Sequence, residues 1–175
     1  LANLLRTERL ILRDTNLTDA EYVLELLNTE EYIRYIGNRG VTTLKQAEEY
    51  IKTKSLAQLE EMGFGNFTVL LGEKRIGNCG VFIRDGMEHP DLGFAFLPQY
   101  QNRGYGFEAS LSVLDFVRNN TKIKILQAIT LPTNLPSVCL LNKLGFKYIR
   151  KFFLPGDPEE LLLLELRLDQ KTQVR

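Results

Sequence analysis

The apolar residues of this chain change period several times, and each change predicts an element. Residues 9–13 (RLILR) alternate polar and apolar, the period of a strand. Thr18, Asp19 and Glu21 form the acidic opening of a helix running to about Asn28. A second helix is predicted over 44–62, entered through Thr42 and Thr43 and stopped by Gly63. Its Ala47, Tyr50, Ile51, Leu56 and Leu59 fall on one face, opposite acidic and basic residues. Three strands follow at 66–71, 76–84 and 92–97, with turns at Glu73-Lys74 and Asp85-Gly86.

The second half alternates differently. A helix after Gly106 places Phe107, Leu111, Leu114 and Val117 on one face. A strand over 124–130 leads to Asn134, which caps a helix ending at Leu144. Pro136 is tolerated in its first turn, where the missing N–H is not needed, and Gly145 terminates it. Strands over 146–153 and 161–168 close the chain, paired across Pro155-Gly156-Asp157-Pro158. Hairpin strands mixed with single helical crossovers predict an α+β fold around a mixed sheet. With no repeat or linker-like shift along it, the chain is treated as a single domain over 1–175.

Composition narrows the functional classes. Lys+Arg and Asp+Glu are both 22, a balance that argues against a dedicated nucleic-acid or anionic-membrane binder. Cys79 and Cys139 make neither a CxxC pair nor a disulfide framework, so reduced thiols in a cytoplasmic protein are expected. The single histidine, His89, leaves little from which to build a metal site or a Cys-His nucleophile pair, and no metal is expected. No signal peptide is visible, and the apolar runs are too short to span a bilayer.

The candidate chemistry centres on Gln101-Asn102-Arg103-Gly104-Tyr105-Gly106, between a strand and a helix. Helix N-termini carry unpaired N–H groups and a partial positive charge, and glycine lets an anion approach the backbone. A phosphate-bearing ligand is therefore expected. The dinucleotide fingerprint G-x-G-x-x-G/A is met by residues 104–109. Its context is wrong, however. It follows several hairpin strands instead of opening a βαβ unit, and no acidic residue stands about 20 residues on to meet a ribose.

Other residues share a different pattern. Gln101-x-x-Gly104-x-Gly106, Asn134-x-x-Ser137 and Lys143-Leu144-Gly145-Phe146 together resemble the GNAT N-acetyltransferase superfamily. Residues 5–13, with Gly104-Tyr105-Gly106-Phe107-Glu108-Ala109, resemble its ribosomal-protein N-acetyltransferase (Rim-like) subgroup. The resemblance implies a mostly antiparallel sheet flanked by helices, with a splayed parallel strand pair forming an acyl-CoA cleft. It implies acetyl-CoA as cosubstrate. Its pantetheine arm would pair with backbone of Phe96, Leu97 and Pro98. Its pyrophosphate would lie on Gln101, Asn102, Arg103, Gly104, Tyr105, Gly106 and Phe107. Asn134 and Ser137 would stand beside the arm and its sulfur, and an N–H near Leu97 would serve the oxyanion.

The chain departs from many members at Leu141, where they carry a proton-donating tyrosine. Ser137 lies one helical turn earlier on the same face and is the polar substitute. It is expected to stabilise the departing thiolate, since a hydroxyl is too weak an acid for full proton transfer. Asp91 is the candidate base, with Glu88 and His89 behind it, and Glu108 is read as structural. Tyr32, Tyr35, Asn38 and Arg39 are candidate walls of the acceptor site. The subgroup implies a protein N-terminal α-amine as acceptor, on a ribosomal protein in particular, and the family often forms homodimers. A small amine, such as a polyamine or aminoglycoside, and a non-catalytic acyl-CoA sensor are the alternatives.

Overall fold

The computed structural model describes residues 2–169. Its strands are β1 (Leu4–Arg6), β2 (Ile11–Asp14), β3 (Asn66–Leu71), β4 (Lys74–Phe82), β5 (Asp91–Phe96), β6 (Ile125–Thr130), β7 (Lys147–Phe152) and β8 (Leu161–Arg167). They form one sheet in the order β1-β2-β3-β4-β5-β6-β8-β7. Every neighbouring pair is antiparallel except β5 and β6. The mixed, mostly antiparallel α+β fold is the one expected. Among the described residues no helix is long and apolar enough to cross a membrane.

Helices cover both faces. On one lie α1 (Ala20–Leu27), α2 (Glu30–Tyr35) and α3 (Leu44–Tyr50), the last continuing through a π-helical stretch (Ile51–Leu56) into α4 (Ala57–Met62). On the other lie α5 (Tyr105–Asn120) and α6 (Leu135–Leu144). The alternation of β5 assigns its side chains to the two layers. Leu92, Phe94 and Phe96 pack with the core that holds Ala109, Val113 and Leu141 of α5 and α6. Ala95 and Leu97 pack with Leu26, Ala47 and Ile51 of the opposite layer.

Several predicted elements differ in detail. The strand expected over 9–13 is the second arm of a hairpin whose turn is closed by Thr7 N–H to the Leu10 carbonyl at 2.9 Å. The predicted helix over 44–62 exists but carries the π-helical stretch in its middle. Helix α2 was not expected; Thr29 caps it by accepting from the Tyr32 N–H at 3.3 Å. The buried stripe of α5 is also shifted. Ala109, Ser110 and Val113 are fully buried, whereas Phe107 and Leu111 are only partly covered. Small side chains bring this helix close to the sheet, and Phe107 is left at the rim under the Lys143 ammonium, 4.1 Å away.

One buried charge ties the α1 layer to the sheet. Asp19 has no exposed side chain and accepts from Arg13 at 2.7 and 2.8 Å, Arg75 at 2.6 Å, Thr68 at 2.9 Å and the Asn16 N–H at 3.0 Å. Burial alone would raise its pKa. Arg13, the Asn16 N–H and Arg75 outweigh burial and lower it to about 2. A depressed carboxylate stabilises the fold above its unfolded pKa and loses that contribution as pH falls through its folded value. The shift corresponds to about 2 kcal/mol. Urea unfolding should therefore show stability falling between about pH 4 and pH 2. Asp19→Asn should lose about 3 kcal/mol at pH 7 and flatten that decline.

Candidate active site

β5 and β6 share a single register pair, Asp91 with Gln127. The Gln127 N–H donates to the Pro90 carbonyl at 2.8 Å, and the Gln127 side chain closes this end of the pair. Its Oε1 accepts from the His89 N–H at 3.1 Å, and its Nε2 donates to Glu165 at 2.8 Å. Beyond it the ladder stops, so the strands diverge towards their C-terminal ends. The Leu97 N–H donates across to the Ile76 carbonyl of β4 at 2.9 Å. By the alternation of an antiparallel ladder, Ala95 and Gly93 also turn their backbone groups to β4, whereas Phe94 and Phe96 turn theirs to the gap. The Leu97 N–H is thus taken, and the nearby β5 N–H groups that face the gap are those of Phe94 and Phe96. The Phe96 carbonyl is already taken by Gln101 Nε2 at 3.0 Å.

The gap opens onto the glycine loop. Pro98 begins a 3-10 turn, and Gln101 folds back on Phe96. Asn102 (φ 59°) and Gly104 (φ 82°) take left-handed backbone, which aims successive N–H groups outward just before α5. The Glu108 N–H is the one that closes onto Gly104, at 3.1 Å, leaving those of Tyr105, Gly106 and Phe107 at the open end of the helix. Gly106 is needed for close approach: a Cβ there would lie 3.2 Å from Leu140 of α6 and 3.6 Å from the Phe96 ring. These three elements therefore meet under the gap. Asn134 caps α6, accepting from the Ser137 N–H at 3.4 Å, and Ser137 is half-buried one turn before Leu140 and Leu141.

An acetyltransferase (GNAT) domain matches residues 9–147. The chain belongs to the GNAT family. It is an acetyl-CoA-dependent N-acetyltransferase. The chain is 28% identical over 144 residues to the uncharacterized N-acetyltransferase YnaD of Bacillus subtilis, covering 81% of each. It superposes on a GNAT-family acetyltransferase of Bacillus anthracis with a TM-score of 0.78 at 23% identity, covering 96% of this chain and 100% of that one. It also superposes on RimL, a ribosomal L7/L12 α-N-protein acetyltransferase in complex with coenzyme A. There the TM-score is 0.79 at 14% identity, covering 95% and 99%.

Not every side chain expected at the GNAT site faces it. Leu97 is buried on the α1 side, and the Tyr105 ring is buried in the α5 core, so both offer backbone only. Arg103 is exposed. Asp91 is 1% exposed and bound to Arg84 Nε at 2.9 Å. Burial raises its pKa, and Arg84 offsets that only in part. Glu88 is largely exposed, 3.7 Å from His89. Cys79 is sealed in the core, where burial pushes its thiol up to about 12, and Cys139 is exposed on α6.

Arg9 is the residue the sequence did not reveal. Its guanidinium lies 4.5 Å from the Tyr105 ring centre, donates to the Arg103 carbonyl at 3.1 Å and pairs with Glu108 at 2.7 Å. Glu108 also accepts from the Thr7 hydroxyl at 2.6 Å and the Arg9 N–H at 2.8 Å, and so pins the β1–β2 turn to the first turn of α5. Its structural reading holds. No local pattern signals a contact between residues 99 apart in sequence. Gly104→Ala, which forces a side chain into left-handed backbone beside Arg9, should cost about 1–2 kcal/mol of stability. Calorimetry should show acetyl-CoA binding weakened about tenfold, equivalent to about 1.4 kcal/mol.

Proposed function

We propose that this GNAT enzyme acetylates an α-amine, a protein N-terminus of the ribosomal-protein kind, by direct attack within a ternary complex. The observation that carries this reading is the state of Asp91. It is the one carboxylate of β5, and it is enclosed, 1% exposed, and already paired with Arg84. A carboxylate so committed suits an acceptor with an appreciable neutral fraction of its own. At pH 7 roughly 10–15% of an α-amine is unprotonated, against about 0.04% of a lysine ε-amine. The likeness to RimL, itself an α-N-protein acetyltransferase, agrees with this acceptor.

In this reading the pantetheine arm of acetyl-CoA extends the sheet along the gap-facing backbone of Phe94 and Phe96, with the Phe96 carbonyl kept by Gln101, in the manner of an added strand. The Gln101–Phe107 loop and the start of α5 hold its pyrophosphate. The amine nitrogen attacks the thioester carbon, and a β5 backbone N–H that faces the gap stabilises the oxyanion. The surplus amine proton passes to Asp91 through water. The C–S bond then breaks, and the Ser137 hydroxyl donates a hydrogen bond to the departing thiolate. Neither cysteine is placed to carry an acyl group, since Cys79 is sealed and Cys139 faces solvent.

Steady-state release of coenzyme A tests the reading. Peptides with free N-termini should turn over at least tenfold faster at pH 7 than Nα-acetyl-lysine amide, by the difference in neutral amine. Comparable or faster rates on the lysine compound would overturn the α-amine assignment. Ser137→Ala should lower kcat about tenfold without abolishing it, the loss of one hydrogen bond to a charged group. Unchanged turnover would remove Ser137 from the mechanism.

A further inference from the structure

The α1–α4 side of the gap carries a polar cluster with an excess of positive charge. Tyr32 of α2 and Tyr50 of α3 pack against the apolar cluster that Ala95 and Leu97 join, on the side of β5 that faces away from α5 and α6. Arg39, in the segment between α2 and α3, lies within hydrogen-bonding reach of both phenol oxygens. Tyr50 also lies in the electrostatic field of Arg84. Arg84 sits over the Phe82 ring at 5.6 Å and holds Asp91 through Nε. Residues from α2, α3, the segment after α2, and the β4–β5 connection thus converge beside the closed end of the gap.

Charge decides what this cluster can bind. It holds two guanidinium groups and one carboxylate, and that carboxylate is committed to Arg84. Burial pushes the Tyr50 phenol up to about 12, so it remains neutral and cancels none of the charge. Among the described residues no carboxylate lies within ion-pair distance of Arg39, which is exposed. Elsewhere the structure pairs its buried or half-buried arginines: Arg13 and Arg75 with Asp19, Arg84 with Asp91. A planar guanidinium steadied by two phenols, with N–H groups to spare, is suited to two-point recognition of a carboxylate. Tyr35 and Asn38 do not join it: Tyr35 stacks under Arg34 at 4.9 Å, and Asn38 accepts from the Gly40 N–H at 2.9 Å.

We infer that the acceptor carries a carboxylate near its α-amine, and that Arg39 is the residue that holds it. The inference rests on the α-amine reading above and adds the chemical class of the acceptor. The carboxylate can come from an acidic side chain next to a peptide N-terminus or from the α-carboxylate of a free amino acid.

The test is a calorimetric titration of the coenzyme A-loaded protein with matched acceptors. One pair is alanyl-aspartyl-alanine amide and alanyl-asparaginyl-alanine amide; the other is alanine and alaninamide. In at least one pair the carboxylate form should bind about tenfold more tightly, as expected for a charged hydrogen-bonded contact. Which pair responds identifies the source. Arg39→Gln should bring the two members within about twofold, and Arg39→Lys should recover part of the difference. Equal binding within both pairs, or a preference that survives Arg39→Gln, would overturn the inference. Turnover of the same α-amines against Nα-acetyl-lysine amide separates the two readings, because an ε-amine preference sinks the α-amine assignment while the binding ratios still judge Arg39.

Discussion

A parallel strand pair that stops after one register position is the constraint on which this molecule depends. A sheet interior normally leaves no unpaired backbone, because a buried N–H or C=O without a partner is costly. Here β5 and β6 are joined at Asp91 and Gln127 and then separate, in the middle of an eight-stranded sheet. The closed end is secured by Gln127, bonded to the β4–β5 loop on one side and to β8 on the other. The open end presents Phe94 and Phe96 to a space that a peptide-like ligand can fill. On the proposed reading that space receives the acyl donor, whose arm carries amides of its own.

The rest of the structure arranges groups around this gap from its two faces. On one, α5 and α6 come close because Gly106 admits Leu140 and the Phe96 ring. Left-handed backbone at Asn102 and Gly104 turns the loop N–H groups outward, and Glu108 anchors the loop to the β1–β2 turn. On the other face, α1 is tied to the sheet through the fully buried Asp19, and the layer it belongs to presents Tyr32, Tyr50 and Arg39. On the proposed reading, donor chemistry and acceptor recognition lie on different layers, with β5 between them.

The sequence disclosed the donor side better than the acceptor side, for physical reasons. The loop at 101–107, the Asn134 cap and the Gly145 stop are local devices, and local devices leave short-range patterns. The helix over 44–62 was legible from its period, but its π-helical stretch was not, since one added residue in a turn changes no composition. Arg9 and Glu108 meet across 99 residues. The burial of Asp91 depends on Arg84 and on the strand to either side. The Arg39 cluster joins four segments, and only the proximity of Tyr32 and Arg39 in sequence hinted at it. The α5 stripe was legible at Leu114 and Val117, which are buried, but not at its start: Ala109 and Ser110 carry little hydrophobic signal, yet they are fully buried.

The central claim is that the free edge of β5 receives the acyl donor. Amide hydrogen exchange at Phe94 and Phe96, followed with and without acetyl-CoA, tests it most directly. Both amides should exchange rapidly in the free protein, while those of Ala95 and Leu97, turned towards β4, are protected. Acetyl-CoA should then slow Phe94 and Phe96 selectively. Protection of those two amides before any ligand is added, or no change on saturation with acetyl-CoA, would contradict the account.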